Sequence, residues 1–196
     1  SNFGYDVTAV LGGLGIAGIA VAMAAKDTLG NILGSLMIFT DRPFEVEDAV
    51  RIGSDGGVVE EVGMRSTRLR TWNGTLLTIP NSSVASSAIE NYSKADRRRI
   101  RFNLTLEYDT SSKQIEKAKE ILGSIINDTR GVDPDSFSAH FSEFGESAIS
   151  LMLTYYIVET SRFWDIQDEV NSKIKERFEK AKIGFAFPSR TLYVKD

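Results

Sequence analysis

Apolar positions crowd together at the start of this chain and then thin into short periodic runs. The stretch from Val7 to Ala25 carries no charge and is built largely from Gly, Ala, Val, Leu and Ile. As a helix, its roughly nineteen residues would span about 28 Å, close to the ~30 Å hydrocarbon thickness of a bilayer. At about 100° per residue, Thr8, Gly12, Ile16, Ile19, Met23 and Lys26 share one arc of roughly 80°. Gly13, Ala17, Ala20 and Ala24 lie to one side of that arc, and Gly15, Gly18, Ala22 and Ala25 to the other. Val10, Leu14 and Val21 point away from it. Small residues on two flanks let backbones approach closely on both sides. The pattern therefore predicts a ring of copies, with the first face lining a pore and the back facing lipid. The plainer alternatives are an ordinary span of a bundle or a Gly/Ala-rich buried helix.

Beyond this stretch the periodicity changes several times. Lys26-Asp27-Thr28-Leu29-Gly30-Asn31 interrupts the apolar run, and charge followed by Gly and Asn predicts a kink or break. Ile32 to Phe39 resumes as an amphipathic helix near the membrane surface, which Asp41-Arg42-Pro43-Phe44 ends. From Glu45 to about Tyr92 the signals are β. Asp55-Gly56-Gly57 reads as a turn, Trp72-Asn73-Gly74-Thr75 as a type I′ hairpin, and Pro80-Asn81-Ser82 as the next turn. Short strands at close spacing predict a small barrel or sandwich.

From Arg97 the character shifts again. Phe102, Leu104, Leu106 and Tyr108 alternate with polar residues, as in a half-buried strand. Asp109 or Thr110 is placed to cap a helix whose apolar face is Ile115, Ala118, Leu122, Ile125 and Ile126. Strands are expected near Phe137 to Phe144 and Ala148 to Val158. A helix from about Asp165 buries Ile166, Val170, Ile174, Phe178 and Ala181. This β-α-β-β-α order suggests a ferredoxin-like α+β layer. Phe185 to Val194 reads as one more strand, able to pair with its own sheet or with other subunits.

Composition narrows the function classes. The 196 residues carry a net charge of −4, which argues against a generic nucleic-acid binder. The absence of cysteine excludes disulfides, zinc-thiolate sites and thiol catalysis. A single histidine, His140, sits with Ser138 and Ser142 on the polar side of its strand. No Ser/His/Asp set, phosphate loop or opposed carboxylate pair stands out, so neither an enzyme nor a cofactor or metal site is expected. The first residue is Ser, and the chain is expected to begin partway through a longer protein with further membrane helices. Asp6 precedes the span whereas Lys26 and Arg42 follow it, which predicts a cytoplasmic soluble body.

Taken together, the ordered segments Gly18-Ile-Ala-Val-Ala-Met-Ala-Ala-Lys-Asp27, Asn31, Asp41-Arg-Pro-Phe44, Thr78-Ile-Pro-Asn81, Asn91 and Phe187-Pro188 resemble the small-conductance mechanosensitive channel (MscS) family. The Met-Ala-Ala-Lys-Asp variant is similar to the larger, multi-span branch of that family. The resemblance implies a homoheptamer in the inner (plasma) membrane. It implies a pore helix over 1–40 with a kinked amphipathic second half and an Sm-like β barrel domain over 41–95. A ferredoxin-like α/β domain is expected over 96–184, and a C-terminal strand over 185–196 forming an inter-subunit barrel. A hollow cytoplasmic vestibule follows from that arrangement. The implied activity is opening under membrane tension in hypo-osmotic stress, releasing ions and small osmolytes.

On this reading Ile19 and Met23 match the family's hydrophobic constriction and also share the derived front face. Thr8, Gly12, Ile16 and Lys26 complete the pore lining. Gly13, Gly15, Ala17, Gly18, Ala20, Ala22 and Ala24 form the packing surfaces between neighbours in the membrane lipid. Asp27, Gly30 and Asn31 are the kink candidates, with Asn31 placed to bond to the β domain. A ring of Lys26 would favour anions, although a lysine there also snorkels or pairs with a neighbour's Asp27. Arg97, Arg98, Arg99 and Arg101 invite an RNA-binding reading, but inter-subunit salt bridges or a solvated strand face fit the acidic balance better, and no nucleic acid is expected. Asp133-Pro-Asp135 reads as a turn rather than a metal site. The alternative function is a membrane-tethered oligomeric binding scaffold without channel activity.

Overall fold

The structure, a computed structural model, describes residues 7–189, with side chains described from residue 10. It divides into two compact units, residues 1–94 and 95–196.

The first unit opens with α1 (Val7–Asp41), a single helix of 35 residues. The expected break over 26–31 is absent, and helical structure runs through it. Lys26, Asp27 and Thr28 are exposed, so their polar groups meet no desolvation cost. The Asn31 side chain donates to the Asp27 carbonyl at 2.8 Å, within the helix itself. Gly30 costs only about 1 kcal/mol relative to alanine, which the docking of the following turns offsets.

Strands β1 (Ala49–Ile52), β2 (Asp55–Val62), β3 (Ser66–Thr71), β4 (Leu76–Pro80) and β5 (Ile89–Asn91) form one sheet of order β4-β3-β2-β1-β5. Every pairing in it is antiparallel. Alternation places Val50, Ile52, Val59 and Leu69 inward, where Ile38, Phe44 and Val84 join them in a small core. A bulge between Val59 and Glu61 lets Glu60 and Glu61 both face solvent, where they pair with Arg70 and Arg68 at 2.7 Å each.

Asp55-Gly56-Gly57 is not the turn that the sequence suggested; it starts β2, and the turn is Gly53-Ser54 with φ +59° at Gly53. Both glycines answer a close approach instead. A Cβ on Gly57 would lie 2.3 Å from the Arg70 carbonyl oxygen, and one on Gly56 would lie 2.6 Å from Trp72 Nε1. The β3–β4 hairpin exists, but its turn is not type I′. Only Gly74 (φ +80°) is left-handed, and the Gly74 N–H donates to the Thr71 carbonyl at 2.8 Å. That is a type I turn closed by a glycine bulge. Pro80-Asn81-Ser82 leads into a short helix, α2 (Asn81–Ser86), rather than a turn.

The second unit has the element order β-α-β-β-α: β6 (Arg98–Leu106), α3 (Ser112–Asn127), β7 (Val132–Phe144), β8 (Ile149–Ile157) and α4 (Phe163–Lys180). A 3₁₀ turn, Thr160–Arg162, leads directly into α4, so the helix begins ahead of Asp165. The sheet has order β6-β8-β7, antiparallel throughout. Leu104, Leu106, Leu151, Leu153, Tyr155 and Ile157 pack against Ala118, Leu122, Ile125 and Ile126 of α3 and Ile166, Val170, Ile174 and Phe178 of α4. The N-cap of α3 is Ser111, beyond Asp109 and Thr110, because only Ser111 has Gln114 at the position that completes a capping box. Cations close the other end of α3, as its dipole favours. Lys173 Nζ donates to the Asp128 carbonyl at 3.3 Å, and Arg177 pairs with the Asp128 carboxylate at 2.9 Å.

Tyr108 lies beyond the end of β6 and is exposed; its hydroxyl donates to the Gly145 carbonyl, which draws the ring out of the inward row. Asp133-Pro-Asp135 lies within β7 at a bulge between Asp133 and Ser138, not at a turn between elements. There the Ser136 hydroxyl accepts from the Tyr156 N–H at 3.0 Å and takes the ladder's place. Past α4 the chain pairs with its own β6: Phe185 bridges Leu106, and the Ala186 N–H donates to the Thr105 carbonyl at 2.9 Å. Phe185 stacks on Phe178 at 5.5 Å. The remainder of the expected C-terminal strand, 190–196, lies outside the described residues.

Candidate functional site

The two halves of α1 have opposite surroundings. Over residues 10–24 every side chain is exposed among the described residues: Ile16, Ile19 and Met23 are 74%, 62% and 73% exposed. Val10, Leu14 and Val21 are exposed as well. A Cβ added at Gly12, Gly13, Gly15 or Gly18 would find nothing within 4 Å. No contact among the described residues therefore accounts for these small residues, nor for Ala17, Ala20, Ala22 and Ala24, which are also exposed. The segment Val10–Asp41 is long and apolar enough to cross a membrane. Thr8 falls outside the described side chains.

From Asn31 onward α1 is fastened to the β domain. Residues Asn31, Gly34, Ser35 and Ile38, at helical spacing, form the docked stripe. Asn31 is 9% exposed; its Oδ1 accepts from the Ser82 N–H at 3.1 Å and from the Ser82 hydroxyl at 2.9 Å. Gly34 lies against the backbone of α2, where a Cβ would stand 2.5 Å from the Asn81 carbonyl oxygen. The Ser35 hydroxyl donates to the Gly63 carbonyl at 3.3 Å.

Asn81 is fully buried beneath this contact. Its Nδ2 donates to the Gly63 carbonyl at 2.8 Å, and its Oδ1 accepts from the buried Thr67 hydroxyl at 2.8 Å. At the far end, Lys94 Nζ donates to the Arg42 carbonyl at 2.9 Å and Asn91 Nδ2 to the Pro43 carbonyl at 3.0 Å. Sequence reasoning missed Gly34, Ser35 and Ser82 as parts of this anchorage. The available signal was the spacing Asn31, Gly34/Ser35, Ile38, two small or polar residues interrupting an otherwise apolar turn.

Lys26 and Asp27 are exposed and make no ion pair among the described residues. Three of the four clustered arginines are engaged within their own unit, while Arg99 is exposed: Arg97 reaches Asp133 at 3.3 Å and lies over the Tyr156 ring at 4.7 Å. Arg98 covers the Phe163 ring at 3.7 Å, and Arg101 Nε contacts Met152 Sδ at 3.1 Å. His140 is exposed on β7. Among the described residues no group of three or more His, Cys, Asp or Glu side chains could hold a metal ion.

Three family models match consecutive parts of the chain. They are "Mechanosensitive ion channel, transmembrane helices 2/3" over residues 1–26, "Mechanosensitive ion channel, beta-domain" over 27–94, and "Mechanosensitive ion channel MscS, C-terminal" over 100–185. The chain belongs to the MscS family. Among curated MscS relatives, it is 41% identical over 196 residues to the small-conductance mechanosensitive channel MscMJ of Methanocaldococcus jannaschii, covering 99% of this chain and 56% of that protein. It is 30% identical over 198 residues to the low conductance mechanosensitive channel YnaI of Escherichia coli, covering 98% of this chain and 57% of that protein. The chain thus spans a little over half the length of these relatives. Among solved MscS-type structures, closed-state Helicobacter pylori MscS matches with a TM-score of 0.87 at 27% identity, over 98% of this chain and 76% of that one. Arabidopsis thaliana MSL1 matches with a TM-score of 0.83 at 25% identity, over 93% and 67%. MscS membership and the long apolar helix together assign the chain to a membrane.

Proposed function

We propose that this chain supplies the pore helix and cytoplasmic body of a tension-gated channel that releases ions and small osmolytes under hypo-osmotic stress. One observation carries the reading. Residues 10–24 of α1 are exposed throughout, with small residues on two flanks that no contact among the described residues requires. In a homo-oligomer, heptameric by analogy with the family, those flanks pack copy against copy. The arc of Gly12, Ile16, Ile19, Met23 and Lys26 then turns to the axis and the Val10, Leu14 and Val21 side to lipid.

Rings of Ile19 and Met23 close the passage by excluding water, because an ion cannot cheaply shed its hydration there. Tension that widens the ring readmits water. The two flanks of Gly and Ala allow the helices to slide without losing contact. Asp27 and Gly30, just above the docked Asn31, form the bending zone between the mobile upper half and the fastened lower half. The five-stranded domain takes the Sm-like role, the second unit the ferredoxin-like one, and the terminal strands an inter-subunit barrel below a cytoplasmic vestibule. A Lys26 ring at the cytoplasmic exit biases the pore toward anions.

Patch-clamp of the full-length protein in liposomes tests this directly. Stretch-activated currents are expected, with Ile19→Ser or Met23→Ser opening at lower tension because a polar ring wets more readily. Lys26→Glu is expected to shift the reversal potential toward cations. Assembled protein without stretch-activated currents would favour a membrane-tethered scaffold instead.

A further inference from the structure

The chain has four methionines and no cysteine, so every sulfur it carries is a thioether. Met64 is exposed beyond β2, Met37 lies on the lower half of α1, and Met152 lies against the Arg101 guanidinium on the sheet. None of these three belongs to the constriction of Ile19 and Met23 proposed above. Met23 differs in its place: exposed like Met64 and Met37, it lies one helical turn beyond Ile19 on the arc proposed to face the axis. We propose that Met23 is an oxidant-responsive site of the gate, at which conversion to the sulfoxide lowers the tension needed to open. The proposal rests on the pore reading above.

The step is a two-electron oxygen transfer. A lone pair of the Met23 thioether attacks one oxygen of a peroxide such as hydrogen peroxide. With hydrogen peroxide, an S–O bond forms as the O–O bond breaks, its electron pair leaves on hydroxide, and that hydroxide takes the proton from the new S–OH group, giving the sulfoxide and water. The product replaces a flexible apolar side chain with a polar, chiral one. Its S–O dipole accepts hydrogen bonds from water in the segment whose closure depends on excluding water. Because each copy contributes one Met23, successive oxidations lower the barrier in graded steps. Methionine sulfoxide reductases restore the thioether and with it the original threshold. Ile19 offers no such chemistry, so the response belongs to one of the two constricting rings.

The test uses the full-length protein in liposome patches, with hydrogen peroxide as probe and peptide mapping of each methionine. Oxidation at Met23 is expected to shift the activation curve to lower tension, with reversal by the reductases. Met23→Leu is expected to abolish the shift, whereas combined Met37→Leu, Met64→Leu and Met152→Leu leaves it intact. Met23→Gln, a polar side chain of similar length, is expected to open at low tension without oxidant. An unchanged threshold with Met23 fully oxidised overturns the proposal, as does an equal shift in Met23→Leu. So does mapping that finds Met64 oxidised and Met23 untouched. Untreated protein that never conducts under stretch removes the pore reading itself, a failure distinct from currents that ignore Met23.

Discussion

Two glycines one turn apart on α1 are predicted to respond unequally to the same substitution, Gly30 with a gain in stability and Gly34 with none or a loss. A Cβ at Gly34 would stand 2.5 Å from the Asn81 carbonyl oxygen, 2.6 Å from its carbon and 2.9 Å from the Ser82 nitrogen. All three are backbone atoms of α2, so no side-chain rotation relieves the clash. At Gly30 the nearest atom is Ser82 Cβ at 3.7 Å, an ordinary contact. Replacing Gly by Ala within a helix stabilises by about 1 kcal/mol at either position. Forcing a methyl into a filled contact costs about 1–3 kcal/mol. Gly30→Ala should therefore gain about 1 kcal/mol, whereas Gly34→Ala should range from neutral to a loss of about 2 kcal/mol. The propensity gain cancels in the comparison, leaving the strain alone as the difference. Chemical unfolding of the full-length protein in detergent, read by circular dichroism, measures both. Equal shifts of the same sign would refute the docking of α1 against α2, as would a Gly34→Ala variant more stable than Gly30→Ala.

Asn81→Ala removes two side-chain bonds and leaves the buried Thr67 hydroxyl without its acceptor. A loss of about 2–4 kcal/mol is expected in the same unfolding assay. The Tyr155 hydroxyl is the opposite case: buried with no hydrogen-bond partner among the described residues, so Tyr155→Phe should be neutral or stabilise by about 1 kcal/mol. Burial also pushes the Tyr155 pKa up from 10.0 to about 12. The folded state thus holds the phenol neutral where the unfolded chain ionises. The associated stability is intact below pH 10 and drains away as pH rises toward 12, by about 2–3 kcal/mol in all. Alkaline unfolding curves should show this decline in the parent and a shallower one in Tyr155→Phe.

Much of the fold was legible because one face of each element is buried and periodicity records that face. The helix row Ala118, Leu122, Ile125, Ile126 and the later row Ile166, Val170, Ile174, Phe178 are buried as their spacing indicated. The misreadings fall where a residue type serves tertiary contact rather than local conformation. Gly56 and Gly57 are small because Trp72 and the Arg70 carbonyl lie against them, yet a Gly-Gly pair after Asp looks like a turn. Asn81 looks like a turn residue but spends its side chain on Thr67 and Gly63 while its backbone starts a helix. Lys26 to Asn31 read as a kink or break because charge followed by Gly and Asn often interrupts a helix, yet helical structure runs through it. Docking by Asn31, Gly34 and Ile38 carries the helix onward, and its one local trace is their spacing, which competes with the charge and glycine just before it. The upper part of α1 is a different case: among the described residues its small and apolar side chains meet no partner in the same copy, so the use proposed for them rests on helical spacing alone.

A symmetry-resolved image of the full-length protein in a lipid bilayer tests the central claim most directly. The account predicts identical copies around an axis, with Gly13, Ala17, Ala20 and Ala24 of each against Gly15, Gly18 and Ala22 of the next, and Ile19 and Met23 facing the axis. Copies whose Ile19 and Met23 face lipid, or protein that forms no ring, would contradict it.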